Sequence, residues 1–93
     1  MSKATFIYHQ DPGHGWLQVP RQLLVKLGIE DKITVFSYLN GTTVYLEEDC
    51  DMSIFIEAFK AQCPDVELDI VSNHINVDAS IRNMRPWPAL EIA

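Results

Sequence analysis

Ile33-Thr34-Val35-Phe36-Ser37-Tyr38-Leu39-Asn40-Gly41-Thr42-Thr43-Val44-Tyr45-Leu46-Glu47 is the stretch on which the fold class turns. Two runs rich in β-branched and aromatic residues, 33–39 and 42–47, flank Asn40-Gly41, whose residues both tolerate positive φ and form the strongest short-range hairpin signal. Alternation puts Ile33, Val35 and Leu39 on one face and Thr34, Phe36 and Tyr38 on the other. The second run offers Val44 and Leu46 against Thr43 and Tyr45. Both faces are apolar or aromatic, so either the sheet is covered on both sides or an aromatic face is left for a partner.

Toward the N-terminus, Ala4-Thr5-Phe6-Ile7-Tyr8-His9 reads as a first strand that ends at the turn-forming Gln10-Asp11-Pro12-Gly13. Residues 15–19 form a short second strand, with Trp16 and Gln18 opposite Leu17 and Val19. Pro20 suits the first turn of a helix, where a missing N–H costs nothing. Leu23, Leu24 and Leu27 then recur on one helical face before Gly28 supplies a left-handed stop.

Toward the C-terminus, Met52, Phe55, Ile56 and Phe59 follow the i, i+3, i+4, i+7 rule of a helix from Met52 to about Gln62, closed by Pro64. Asp49 or Asp51 is the expected cap at its N-terminus. Val66, Leu68 and Ile70 alternate with Glu67, Asp69 and Val71 as a half-buried strand. Ile75, Val77 and Ile81 line a further strand or loop, and Pro86-Trp87-Pro88 is extended, either packed down by Trp87 or left as a tail. The expected fold is α+β, a single domain over residues 1–93, mainly an antiparallel sheet with two helices in the order β-β-α-β-β-α-β plus an extended C-terminus.

Ninety-three residues suffice for a modest core without metal or disulfide staples, and 47% hydrophobic with 22% charged residues is the composition of a globular domain. No window approaches the ~20 apolar residues of a membrane span, and no signal sequence opens the chain. A soluble cytoplasmic protein is expected. The net charge of −6 is unevenly placed: residues 30–69 hold ten acids against Lys32 and Lys60, for −8, while residues 1–29 carry +2 and residues 70–93 carry none. That central field disfavours direct nucleic-acid binding, which relies on Lys and Arg displacing counterions, and suits a basic protein surface instead. Cys50 and Cys63 flank the second helix, roughly 18 Å apart along its axis, too far for a bridge. Cys50 among carboxylates and Cys63 near a helix C-terminus both oppose a thiolate, so neither is an activated nucleophile.

The segment Gly15-Trp16-Leu17-Gln18-Val19-Pro20-Arg21-Gln22-Leu23-Leu24-Val25-Lys26-Leu27-Gly28-Ile29, followed by Asp31-Lys32-Ile33 and the hairpin, resembles the AbrB-type swapped-hairpin domain over residues 15–47. In that family two chains exchange hairpins and arginines bind DNA, so the resemblance implies a homodimeric regulator or antitoxin. Trp16, Leu24 and Val25 stand where the family's basic residues are expected, and DNA binding is not carried over. A second resemblance, carried by His14-Gly15-Trp16-Leu17, Val19-Pro20, Phe36-Ser37-Tyr38-Leu39 and Val44 through Asp51, is to small uncharacterised proteins encoded by bacteriophages and plasmids. It implies an accessory protein that binds a host protein, with inhibition of a host defence nuclease complex as one form.

The three histidines make no i, i+4 pair and no H-E-x-x-H motif, and Glu47, Glu48, Asp49 and Asp51 lack the spacing and glycine of a calcium loop. No catalytic, metal or cofactor site is expected, and a small metal-dependent enzyme is the weakest reading. The acidic block beside Phe36, Tyr38 and Tyr45 instead combines charges with aromatic anchors, as protein interfaces do. His14 lies between two glycines, where backbone and side chain can approach a ligand closely, and Trp16 follows it. The expected partner-binding set is Glu47, Glu48, Asp49, Asp51, Phe36, Tyr38, Tyr45, His14 and Trp16.

Overall fold

The computed structural model describes residues 2–74, 81 and 84–87. The expectations for Ile75, Val77 and Pro88 lie outside the described residues. The chain runs β1 (Ser2–Gln10), β2 (Gly15–Pro20), α1 (Arg21–Leu27), a 3-10 turn (Glu30–Lys32), β3 (Tyr38–Asn40), β4 (Thr43–Glu47), α2 (Asp51–Gln62), β5 (Val66–His74) and β6 (Arg85–Pro86). The expected α+β order holds, and β6 extends it. One mixed sheet has the strand order β5-β1-β2-β4-β3-β6; among the described residues only the β1–β5 pairing is parallel.

Cross-strand register sorts the side chains. Leu17 lies opposite Leu46, Val19 opposite Val44, and Phe6 beside Ile70, so one sheet face is continuously apolar. Leu24 and Leu27 of α1 and Phe55 and Phe59 of α2 close over it, and Phe6 meets both phenylalanines edge-on. Met52 and Ile56, expected on the inward face of α2, are half-buried against this core. Trp87 is buried in the same core, its backbone N–H donates to the Ser37 carbonyl at 2.8 Å, and Arg21 lies over its ring. Of the Pro86-Trp87-Pro88 run, Trp87 is thus packed down on the core. On the opposite face Trp16 and Ile81 form a small second cluster with Tyr38, Tyr45 and Met84 packed against it.

Local signals account for the element ends. Gly28 adopts φ 73°, its N–H donates to the Val25 carbonyl, and the Ile29 N–H reaches back to the Leu24 carbonyl, the paired bonds of a Schellman stop. The hairpin differs in detail from expectation: Asn40 pairs with Thr43, so Gly41 and Thr42 are the central turn residues, and only Gly41 has positive φ. That is the sign pattern of a type II′ turn, not type I′.

The larger departure is at residues 33–39, expected as one strand. Only Tyr38–Asn40 pairs; residues 34–37 form a turn in which the Ser37 N–H donates to the Thr34 carbonyl and the Phe36 N–H to Thr34 Oγ1, both at 3.3 Å. Threonine and serine offer the backbone local hydrogen bonds that compete with a ladder, and here they win.

Gly15 is needed for a different reason from the other glycines. A Cβ there would collide with the Tyr8 phenol, which lies over this point of β2 to donate a 2.7 Å hydrogen bond to Glu48. Gly15→Ala is expected to destabilise the fold by about 1–3 kcal/mol in urea unfolding. The loss should shrink sharply in a Tyr8→Leu background; an undiminished loss would place the cause elsewhere.

Candidate functional site

Three chain segments converge where β4 runs into α2. Asp51, the first residue of α2, is fully buried. Its Oδ2 accepts the Thr34 N–H at 3.0 Å, the Thr34 hydroxyl at 2.8 Å and the Ser37 hydroxyl at 2.5 Å. Ser37 Oγ in turn accepts the Glu47 N–H at 3.0 Å. Asp51 Oδ1 is buried without a hydrogen-bond partner among the described residues. Asp51 therefore clamps the 34–37 turn against the start of α2, and its expected place in the partner-binding set is corrected: a fully buried carboxylate engaged by three donors has no surface to offer.

The helix start is satisfied by an unexpected residue. Cys50 stands at the N-cap position without a side-chain cap bond, and neither Asp49 nor Asp51 caps. Glu47 reaches forward from the end of β4, and its carboxylate accepts the N–H groups of Asp49 (2.8 Å), Cys50 (2.6 Å) and Asp51 (2.8 Å). The last two are among the donors that an α-helix leaves without intrahelical partners. Burial opposes ionisation of Glu47, but the N–H groups of Asp51, Cys50 and Asp49, together with His14, outweigh it and hold the carboxyl below its ordinary value. Glu48 is half-buried and accepts the Tyr8 hydroxyl. Burial, that hydrogen bond and the charges of Glu48 and Asp49 push the Tyr8 phenol up to about 12.

The clamped turn presents Val35 and Phe36 to solvent, 52% and 72% exposed. They rim a cleft of about 360 Å³ whose remaining lining is His14, Trp16, Tyr38, Glu47, Asp49 and Cys50. Buried Trp16 and half-buried Tyr38 form its base, with their rings edge-on at 6.2 Å, and the exposed His14 ring stacks on Trp16 at 6.0 Å. His14 is placed by Asp11, whose Oδ1 accepts the Gly13 and His14 N–H groups.

Six of the nine expected partner-binding residues, namely His14, Trp16, Phe36, Tyr38, Glu47 and Asp49, thus share one cleft. Three do not line it: Asp51 is internal, Glu48 is engaged by Tyr8, and Tyr45 packs at the second cluster with its ring 5.8 Å from His9. Phe36 belongs to the turn and not to a hairpin face shared with Tyr38 and Tyr45. Val35 and Cys50 were missed as cleft residues; the Thr34-x-x-Ser37 spacing was the available signal, because it turns whatever lies between outward.

Cys50 is an exposed free thiol with no hydrogen-bonded base among the described residues. Among the described residues no three His, Cys, Asp or Glu side chains come together as metal ligands, and no helix is long and apolar enough to cross a membrane. What the arrangement offers chemically is an aromatic-based cleft with an apolar rim and carboxylates beside it. Comparisons with protein-family models, curated proteins and solved structures find no match.

Asp51→Ala, which strands three donors in or near the core, is expected to lower stability by about 3–5 kcal/mol in urea unfolding. Asp51→Asn, which keeps an acceptor, should cost clearly less. Glu47 supplies a pH test. Its folded-state pKa is depressed, so its contribution is fully present above the ordinary glutamate range and is lost as pH falls through the folded value. The melting-temperature gap between wild type and Glu47→Gln should therefore be widest near neutrality and narrow as the solution is acidified.

Proposed function

We propose that this chain is a non-enzymatic binding protein that captures a second protein at the Val35–Phe36 turn and the cleft beside it. One observation carries the reading: an aromatic side chain 72% exposed at the tip of a turn that a buried carboxylate holds in place. A mobile loop would lose entropy when docking fixes it, whereas a turn already hydrogen-bonded from behind loses little. Phe36 would enter an apolar pocket of the partner, and Asp49, the exposed carboxylate beside it, would face Lys or Arg side chains, the usual division between buried anchor and charged rim.

The acidic contribution is smaller than the four-residue block implies, because Asp51 is internal, Glu48 is committed to Tyr8 and Glu47 to the start of α2. The residual negative field still favours a basic partner surface. The resemblance to small proteins of phages and plasmids adds that the partner is a host protein, with the nucleic-acid channel of a defence nuclease complex as the form that fits the charge.

A pulldown from host lysate, followed by affinity measurement with the purified captured protein, tests the reading. Phe36→Ala should weaken binding by about tenfold or more. Asp49→Lys should weaken it and reduce its salt dependence, and neither exposed substitution should change the melting temperature. Capture that both variants retain at wild-type strength would overturn the proposal.

A further inference from the structure

β5 occupies one edge of the sheet. Its nine residues pair in parallel with β1 on one side, and among the described residues no strand pairs on the other. Nine residues span on the order of 30 Å, so about half of the strand's N–H and C=O groups face outward along that length. Of the devices that blunt an edge, β5 has only the charges of Glu67 and Asp69, and it contains no proline, lysine or arginine. Its apolar side chains are also incompletely covered. Val66, Leu68 and Ile70 are only half-buried at the margin of the main core, while Val71 and its β1 neighbour Ile7 are 50% and 41% exposed on the other face.

We infer that β5 is a homodimer interface, pairing antiparallel with β5 of a second copy about a two-fold axis at Ile70. Charge and full pairing together select this register, since an axis at Val71 leaves Val66 and Glu67 outside the ladder. An axis at Leu68 would set Glu67 opposite the second copy's Asp69, and an axis at Asp69 would oppose the two Asp69 carboxylates; like charges directly opposite are destabilising. With the axis at Ile70 every residue of the strand is paired. Asp69 faces Val71, Glu67 faces Asn73, Leu68 faces Ser72, and the two Ile70 side chains meet on the core side. Asp69 is already held by Lys3 at 3.7 Å and by the Thr5 hydroxyl at 3.2 Å, which tempers its charge on the open face. The symmetry makes each contact off the axis occur twice, as in most two-fold homodimers.

Sedimentation equilibrium of the whole chain, with matched charge variants at exposed Val71, tests the interface and its register together. Wild type should show a concentration-dependent monomer–dimer equilibrium that tightens with added salt, since each copy carries −6. Val71→Glu, facing the second copy's Asp69, should weaken the dimer by about tenfold, whereas Val71→Lys should preserve or tighten it. Asn73→Glu, facing Glu67, should repeat the weakening if Val71→Glu fails to fold. A chain monomeric at all concentrations, or a dimer indifferent to the sign of charge at these positions, would overturn the inference.

Discussion

A single carboxylate oxygen organises the region that gives this protein its distinctive surface. Asp51 Oδ2 gathers a backbone N–H and two hydroxyls from the 34–37 turn, and the Ser37 hydroxyl passes the connection on to the Glu47 N–H at the end of β4. The Ser37 carbonyl then takes the Trp87 backbone N–H. The 34–37 turn, the end of β4, the start of α2 and Trp87 are thereby tied together. Burying a carboxylate is unfavourable unless donors replace its water, and here the donors fall on one oxygen while the other has none among the described residues. Such an arrangement makes a poor case for net stabilisation and a good one for conformational definition, since three donors of one turn converge on it.

Much of the fold is legible in the sequence because its signals are local and unopposed. Pro20 before a leucine-patterned helix, Gly28 after it, the period-3.6 pattern of α2 and the alternation of β5 each point to one structure. The 33–39 run fails because two local codes overlap there. Its β-branched and aromatic content argues for a strand, while Thr34 and Ser37 can each bond the backbone around them. The choice is decided by Asp51, fourteen residues or more away, which rewards the turn by satisfying both hydroxyls. No window centred on the hairpin contains that information.

The acidic block shows a second limit. Four acids in five positions look like one charged surface, but the chain changes direction and periodicity within them. Glu47 ends β4 on the same sheet face as Trp16 and bends forward over the helix start; Glu48 turns to the phenol of Tyr8; Asp51 begins a helix on its buried side. Only Asp49 is left as an exposed carboxylate of the four. Proximity in sequence preserved charge density but not direction. The aromatic residues fared better because Trp16 and Tyr38 lie on β2 and β3, where alternation assigns the face directly.

The two proposed contact surfaces are placed so that one need not obstruct the other. The cleft draws on β2, β3, β4 and the loops at their ends, whereas β5 lies at the far edge with β1 between it and β2. Pairing through β5 would continue the sheet and leave a cleft on each copy. A partner that is itself multimeric, or that repeats its basic surface, would then meet two Phe36 anchors held in fixed relation by continuous sheet, and the second capture would proceed at an effective concentration set by that geometry. A modest contact area at each cleft would suffice for tight binding on those terms. That matters for a chain of this size, whose small exposed apolar surface limits what one cleft can supply by itself.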